Sequence, residues 1–75
     1  MKTRILAVAP YEGMCELLKS IAARRDDIEL NAFVGNLDEG LRIVSEEDLS
    51  NYDVIISRGG TGNLIARSTA IPVVK

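Results

Sequence analysis

The residues with most chemistry to offer stand together at Ser57-Arg58-Gly59-Gly60-Thr61. Gly59 and Gly60 allow backbone angles that other residues resist, so the chain can turn tightly there. Thr61 is a good N-cap for a helix starting at Gly62 or Asn63. The pattern predicts free backbone N–H groups at a helix start, beside one guanidinium. Such an arrangement receives anions, and an arginine offers a two-pronged fork to a carboxylate or a phosphate. The plainer reading is a tight strand-to-helix turn with Arg58 on the surface. No Gly-Lys-Ser/Thr follows, so the string is not a Walker loop, and the G-x-G-x-x-G spacing of a dinucleotide fingerprint is absent. Cys15 could suggest a nucleophile, but the chain has no histidine to activate it. It lies about one turn into a helix, beside Leu18 and Ala22, and reads as a buried structural cysteine. Glu46, Glu47 and Asp48 point different ways on a helix and read as a solvated acidic turn rather than a metal cluster. With one cysteine and no histidine, an internal disulfide, a Cys/His zinc site and a Ser-His-Asp triad are all excluded. No catalytic residue, metal or cofactor is expected.

The elements that must position this string can be read from periodicity. Ile5-Leu6-Ala7-Val8-Ala9 is a continuous apolar run, as a strand covered on both faces requires. Glu12 to about Arg25 has helical spacing, with Met14, Leu17, Leu18 and Ile21 on one face. Glu12 and Glu16 near its start, and Lys19, Arg24 and Arg25 toward its end, suit the helix dipole. Asp26 and Asp27 turn the chain. Ile28 to Val34 alternates at first, like an edge strand. Asn36 with Glu39 predicts a capping box, and Leu37, Leu41 and Val44 predict the buried stripe of a second helix. Ser45 to Asp48 is a further cap-like stretch. Asp53 to Ser57 predicts a third strand, 62–68 a third helix with Leu64 and Ile65 facing in, and Ile71-Pro72-Val73-Val74 a fourth strand. Pro72 lacks a donor and suits a strand start or an edge.

Helices alternating with strands imply a three-layer α/β fold, flavodoxin- or Rossmann-like, with a parallel sheet and right-handed crossovers. The apolar first and third strands belong in the centre, giving the order 2-1-3-4. In such a sheet ligands bind beyond the carboxyl ends of the strands, where the strand order reverses. The loops meeting there are Pro10-Tyr11-Glu12-Gly13 and Ser57 to Gly62. The expected ligand-binding residues are therefore Pro10, Tyr11, Ser57, Arg58, Gly59, Gly60 and Thr61. Pro10 and Tyr11 would form the wall opposite Arg58. The fourth strand leaves an open apolar edge. We expect this chain to be the first part of a longer domain, or to pair with another chain.

The composition bounds the function. Seventy-five residues make one small domain. The chain is 47% hydrophobic and 27% charged, which suits a folded protein. Its net charge is -2 and its charges are mixed along the sequence, so direct nucleic-acid contact is not expected. No apolar run approaches the roughly 20 residues of a membrane span, and the N-terminal apolar run is too short for a signal peptide. The expected compartment is the cytoplasm.

Tyr52 to Thr61, followed by Ile71-Pro72-Val73-Val74, resembles the N-terminal sensory domain of the propionate catabolism activator family, bacterial sigma-54-dependent transcription regulators. The Ala9-Pro10-Tyr11 turn and Val34-Gly35-Asn36-Leu37-Asp38-Glu39-Gly40 are similar to the same family. The resemblance implies residues 1–75 as the first α/β half of a ligand-sensing domain. It implies a small anionic metabolite as ligand, a 2-methylcitrate-type tricarboxylate in the best-known members. A second α/β half, an ATPase domain and a helix-turn-helix domain follow in the family. The leading expectation is a non-catalytic signal-transduction module that binds a carboxylate or phosphate, with a homo-oligomer as partner state and no membrane contact. The alternatives are a phosphoryl-carrier (phosphorelay) or enzyme half-domain modified at Cys15 or Ser57, and a bare dimerisation fragment.

Overall fold

The computed structural model describes residues 2–75. It contains strand β1 (Thr3–Ala9), helix α1 (Glu12–Ala23), strand β2 (Ile28–Val34), helix α2 (Asp38–Glu46), a 3-10 turn (Leu49–Asn51), strand β3 (Val54–Ile56), helix α3 (Gly59–Ala66) and strand β4 (Val73–Val74). The four strands form one sheet in the order β2-β1-β3-β4, and every pairing is parallel. The expected fold class and strand order are therefore both present.

Register assigns each side chain to a face. Ile5 lies beside Leu30 and Val54, and Ala7 beside Ala32 and Ile56. This set faces α1, whose Leu18, Ile21 and Ala22 meet Ile5, Leu30 and Ile56 around a small apolar depression. The alternate residues Leu6, Val8 and Ile55 face the other way and form the main core with Val44 of α2, Tyr52, and Ile65 of α3. Helices thus lie on both faces, as a parallel sheet demands. α1 packs on β1 and β2.

Several local expectations need correction. Leu17 does not face inward, being 59% exposed, and Ile21 only borders the apolar depression, being 48% exposed, while Cys15 is the buried residue of α1. Leu37 is not part of a buried stripe. It precedes α2 as its N-cap, is exposed, and has φ 47°. In its place Gly40 and Val44 are buried. The expected Asn36–Glu39 capping box is not formed. The Glu39 N–H bonds to the Asn36 carbonyl at 3.0 Å, and the Asn36 side chain turns toward α3 instead. α1 stops at Ala23, so Arg24 and Arg25 lie just past its end. Asp48 does act as a cap, accepting from the Ser50 N–H at 3.1 Å at the start of the 3-10 turn.

Tyr52 closes the amino end of the core. Its hydroxyl donates to Glu47 Oε1 at 2.6 Å and accepts from Asn31 Nδ2 at 2.9 Å. Burial, and then the Glu47 carboxylate, push the phenol above its ordinary value. Asp53 ties β3 to β1: its carboxylate accepts from the Arg4 backbone N–H at 2.8 Å and lies 3.5 Å from the Arg4 guanidinium.

Three surface carboxyls carry the acid sensitivity of the fold. The Arg4 backbone N–H lowers Asp53, the Arg25 side chain lowers Asp27, and the Ser50 hydroxyl lowers Asp48. A carboxyl depressed in the folded state stabilises it above the unfolded value, near 3.9 for Asp. That contribution disappears as pH falls through the folded value. The urea midpoint should therefore be level from about pH 7 to 5 and drop below about pH 4. The three substitutions to asparagine together should flatten this acid limb, measured by urea melts at pH 7 and pH 3.

Candidate functional site

Helices α1, α2 and α3 all begin at the same edge of the sheet, where β1, β2 and β3 end. Their N-cap residues are Tyr11, Leu37 and Arg58, and none makes a side-chain cap hydrogen bond. Serine, threonine, aspartate or asparagine normally serve there. The first turn of each helix thus keeps backbone N–H groups without an intrahelical acceptor, and the helix dipoles make that edge attractive to anions.

Acidic residues distinguish the three. α1 carries Glu12 in its first turn, and α2 carries Asp38 and Glu39. These carboxylates offset the dipole and repel an external anion. α3 has no acidic residue in its first turn and starts immediately after Arg58. Among the described residues the four ion pairs use Arg4, Lys19, Arg25 and Arg42, leaving the exposed Arg58 guanidinium free.

α3 begins three residues earlier than the expected 62. Gly59 makes this possible with φ +55°, and nothing would obstruct a Cβ there, so glycine serves the backbone conformation alone. Its N–H, with those of Gly60 and Thr61, precedes the first intrahelical bond, from the Gly62 N–H to the Arg58 carbonyl at 3.2 Å. Thr61 is accordingly not the N-cap; it lies inside the first turn of α3. Its side chain is buried. Thr61 Oγ1 accepts from the Leu37 N–H at 2.7 Å and donates to Asn36 Oδ1 at 3.2 Å. This bond latches the β2–α2 loop to α3. Sequence periodicity gave no signal for Asn36 and Leu37 in this role, because the contact joins residues 24 and 25 apart.

The other expected residues sort by exposure. Arg58, Gly59 and Gly60 are exposed, Tyr11 is 61% exposed and Pro10 is partly buried. The Tyr11 ring lies over Gly13, where an added Cβ would stand 3.5 Å from it. β1 and β3 are direct neighbours, so the loops carrying Tyr11 and Arg58 leave adjacent strand ends, about 4.8 Å apart at the backbone. Ser57 is fully buried and its Oγ has no protein hydrogen-bond partner. An unmatched buried hydroxyl costs about 1–3 kcal/mol. Ser57→Ala should therefore raise stability by about 1 kcal/mol, or roughly 4–8 °C in Tm, in a thermal melt. A fall in Tm would mean that the hydroxyl is satisfied in solution.

Cavities of about 270, 250 and 70 Å³ occur elsewhere and none is lined by these seven residues. The largest is a polar cleft at the other end of the strands, bordered by Arg4, Glu29, Asn31, Asn51 and Tyr52. Among the described residues no group of acidic and cysteine side chains could hold a metal ion, and no helix is long and apolar enough to cross a membrane.

No curated protein and no solved structure matches the chain significantly. The family model for propionate catabolism activator matches residues 24–75, which include Arg58 and α3 but not Pro10 and Tyr11.

Proposed function

The chain belongs to the propionate catabolism activator family, and on that premise we propose that it senses a small anionic metabolite for a bacterial transcription regulator. Residues 1–75 are then the first α/β half of its ligand-sensing domain. One observation carries the reading: three helix starts without side-chain caps share one sheet edge, and only α3 combines a first turn free of acid with an unpaired arginine. Arg58 pairs with a carboxylate or phosphate. The N–H groups of Gly59, Gly60 and Thr61 bind the same anion, Pro10 and Tyr11 form the opposing wall, and Ser57 sits beneath. Binding shifts the population of states that contact downstream ATPase and DNA-binding domains. The protein works in the cytoplasm as a non-catalytic module, since no base stands ready to activate Cys15 or Ser57.

A thermal-shift screen of di- and tricarboxylates and phosphate esters tests this. A matching anion at about 100 times its Kd stabilises the fold by about 2.7 kcal/mol. If no anion shifts Tm in this chain or in longer forms of the protein that contain it, the reading fails.

A further inference from the structure

We infer that the β2–α2 turn is a two-state latch on α3: Thr61 holds it closed against strain at Leu37, and opening it loosens the helix start that receives the anion. The latch itself stands on geometry alone. Its coupling to an anion rests on the function proposed above.

The turn carries a residue that does not suit it. Leu37 has φ 47° and ψ -117°, and the Glu39 N–H bonds to the Asn36 carbonyl at 3.0 Å. These are the marks of a type II′ turn, whose first central position ordinarily takes glycine. Among the described residues Leu37 alone combines a side chain with positive φ. Such a conformation persists only where surrounding contacts impose it. Here Thr61 Oγ1 accepts from the Leu37 N–H at 2.7 Å and donates to Asn36 Oδ1 at 3.2 Å. The strain and these two hydrogen bonds are of similar size, so a modest bias decides which state is filled.

Opening has a defined geometry. Relaxation of Leu37 to a φ of about -60° turns its N–H relative to its side chain by roughly 110°. Either the N–H then leaves Thr61, or the side chain leaves α3, where Leu37 Cδ2 lies 3.4 Å from the place of a Gly60 Cβ. The ends of the moving stretch are fixed. The Gly35 N–H bonds to the Ala9 carbonyl at 2.9 Å, and a Cβ on Gly35 would meet the Gly40 backbone N at 3.2 Å. Movement is thus confined to residues 36–39.

The first turn of α3 depends on this latch. Three of its first four residues are Gly59, Gly60 and Gly62, and glycine is the weakest helix former after proline. Thr61 carries the only side chain among those four. In the closed state its Oγ1 ties the turn to the β2–α2 loop, and the same residue offers its backbone N–H to the anion. An anion that needs the N–H groups of Gly59, Gly60 and Thr61 in place binds the closed state better. By linkage, it closes the latch by the factor through which the latch favours the anion. The turn runs directly into α2, so the arrival of the anion is carried to a second helix.

Thermal melts test the latch without ligand. Leu37→Gly should melt at least about 3 °C above Leu37→Ala. At an ordinary negative φ the order is the opposite, because alanine restricts the unfolded chain. Thr61→Val keeps the shape and removes the hydroxyl, and in that background Leu37→Ala should melt above Leu37→Gly. Hydrogen exchange followed by NMR should find the Leu37 amide at least tenfold faster in Thr61→Val than in the parent chain, and still protected in Thr61→Ser. Leu37→Ala melting above Leu37→Gly in the parent background overturns the strain. Leu37→Gly melting higher in both backgrounds overturns Thr61 as the residue that holds it. Citrate and inorganic phosphate probe the coupling. An anion that raises Tm should slow exchange at Leu37 at least threefold, while the Ser50 amide, also held by a side chain, keeps its rate. A Tm shift with an unchanged Leu37 rate overturns the coupling. If neither anion shifts Tm, the coupling falls together with the anion site, and the ligand-free melts alone decide the latch.

Discussion

Replacing Gly40 by alanine is expected to destabilise the fold by about 2 kcal/mol and lower Tm by roughly 8–16 °C. An alanine Cβ at this position would stand 2.6 Å from Thr61 Cγ2 and 3.2 Å from Val8 Cγ1. Neither neighbour is the loose end of a long side chain. Val8 is in the main core, and Thr61 is held by its bonds to Leu37 and Asn36. Overpacking of this kind costs about 1–3 kcal/mol. Displacing Thr61 also breaks the bond that accepts the Leu37 N–H, worth about 1 kcal/mol. Alanine returns at most about 1 kcal/mol through its better helix propensity in the first turn of α2, so the clash decides the sign.

A second substitution makes the cause visible. Thr61→Ser removes Cγ2 and keeps the hydroxyl. The Gly40→Ala, Thr61→Ser pair should then be at least 1 kcal/mol more stable than the two separate losses would sum to. Urea melts of the four proteins measure this coupling. Simple additivity would place the cost of Gly40→Ala somewhere other than the α2–α3 contact.

That contact also shows where sequence reading stops. The strand order was legible because it depends on composition along single strands: Ile5 to Ala9 is uniformly apolar and central, and Ile28 to Leu30 alternates and lies at an edge. The helix starts were not legible, because each is settled by a partner far along the chain. Thr61 has the chemistry of an N-cap, and Asn36 does too. Gly59, at φ +55°, lets α3 begin three residues early, which carries Thr61 into the helix. There its hydroxyl meets the β2–α2 loop and takes Asn36 away from its own helix. Leu17 failed for a related reason. Helical spacing shows that residues share a face, and it does not show whether the chain itself covers that face.

At the strand-end site, Arg58-Gly59-Gly60 could be placed from the strand-then-glycine pattern alone. The absence of acid from the first turn of α3, in contrast to Glu12 in α1 and Asp38 and Glu39 in α2, was present in the sequence too. It gained meaning only when all three helices were seen to start at one edge.

Arg58→Ala is expected to weaken binding of a matching anion by roughly 10- to 100-fold. A hydrogen bond to a charged group contributes about 1.5–3 kcal/mol, and each 1.4 kcal/mol is about tenfold in Kd. At an anion concentration of about 100 times the original Kd, the stabilisation of about 2.7 kcal/mol would fall to about 0.9 kcal/mol for a 30-fold loss. The thermal shift would then shrink from roughly 11–22 °C to roughly 3–7 °C. Stability without ligand should not move, because Arg58 is exposed and its side chain makes neither a cap bond nor an ion pair. Arg58→Lys separates charge from geometry. It keeps the positive charge and loses the planar fork, so intermediate affinity would show that two-pronged pairing matters, and full affinity would reduce the role of Arg58 to its charge. The competing place for an anion is the 270 Å³ cleft beside Arg4. Arg4 already lies 3.5 Å from the Asp53 carboxylate, and Glu29 borders the same cleft, so an incoming anion meets two negative charges there and none in the first turn of α3. A thermal shift that survives Arg58→Ala and disappears in Arg4→Ala would move the ligand to that cleft and refute the strand-end site.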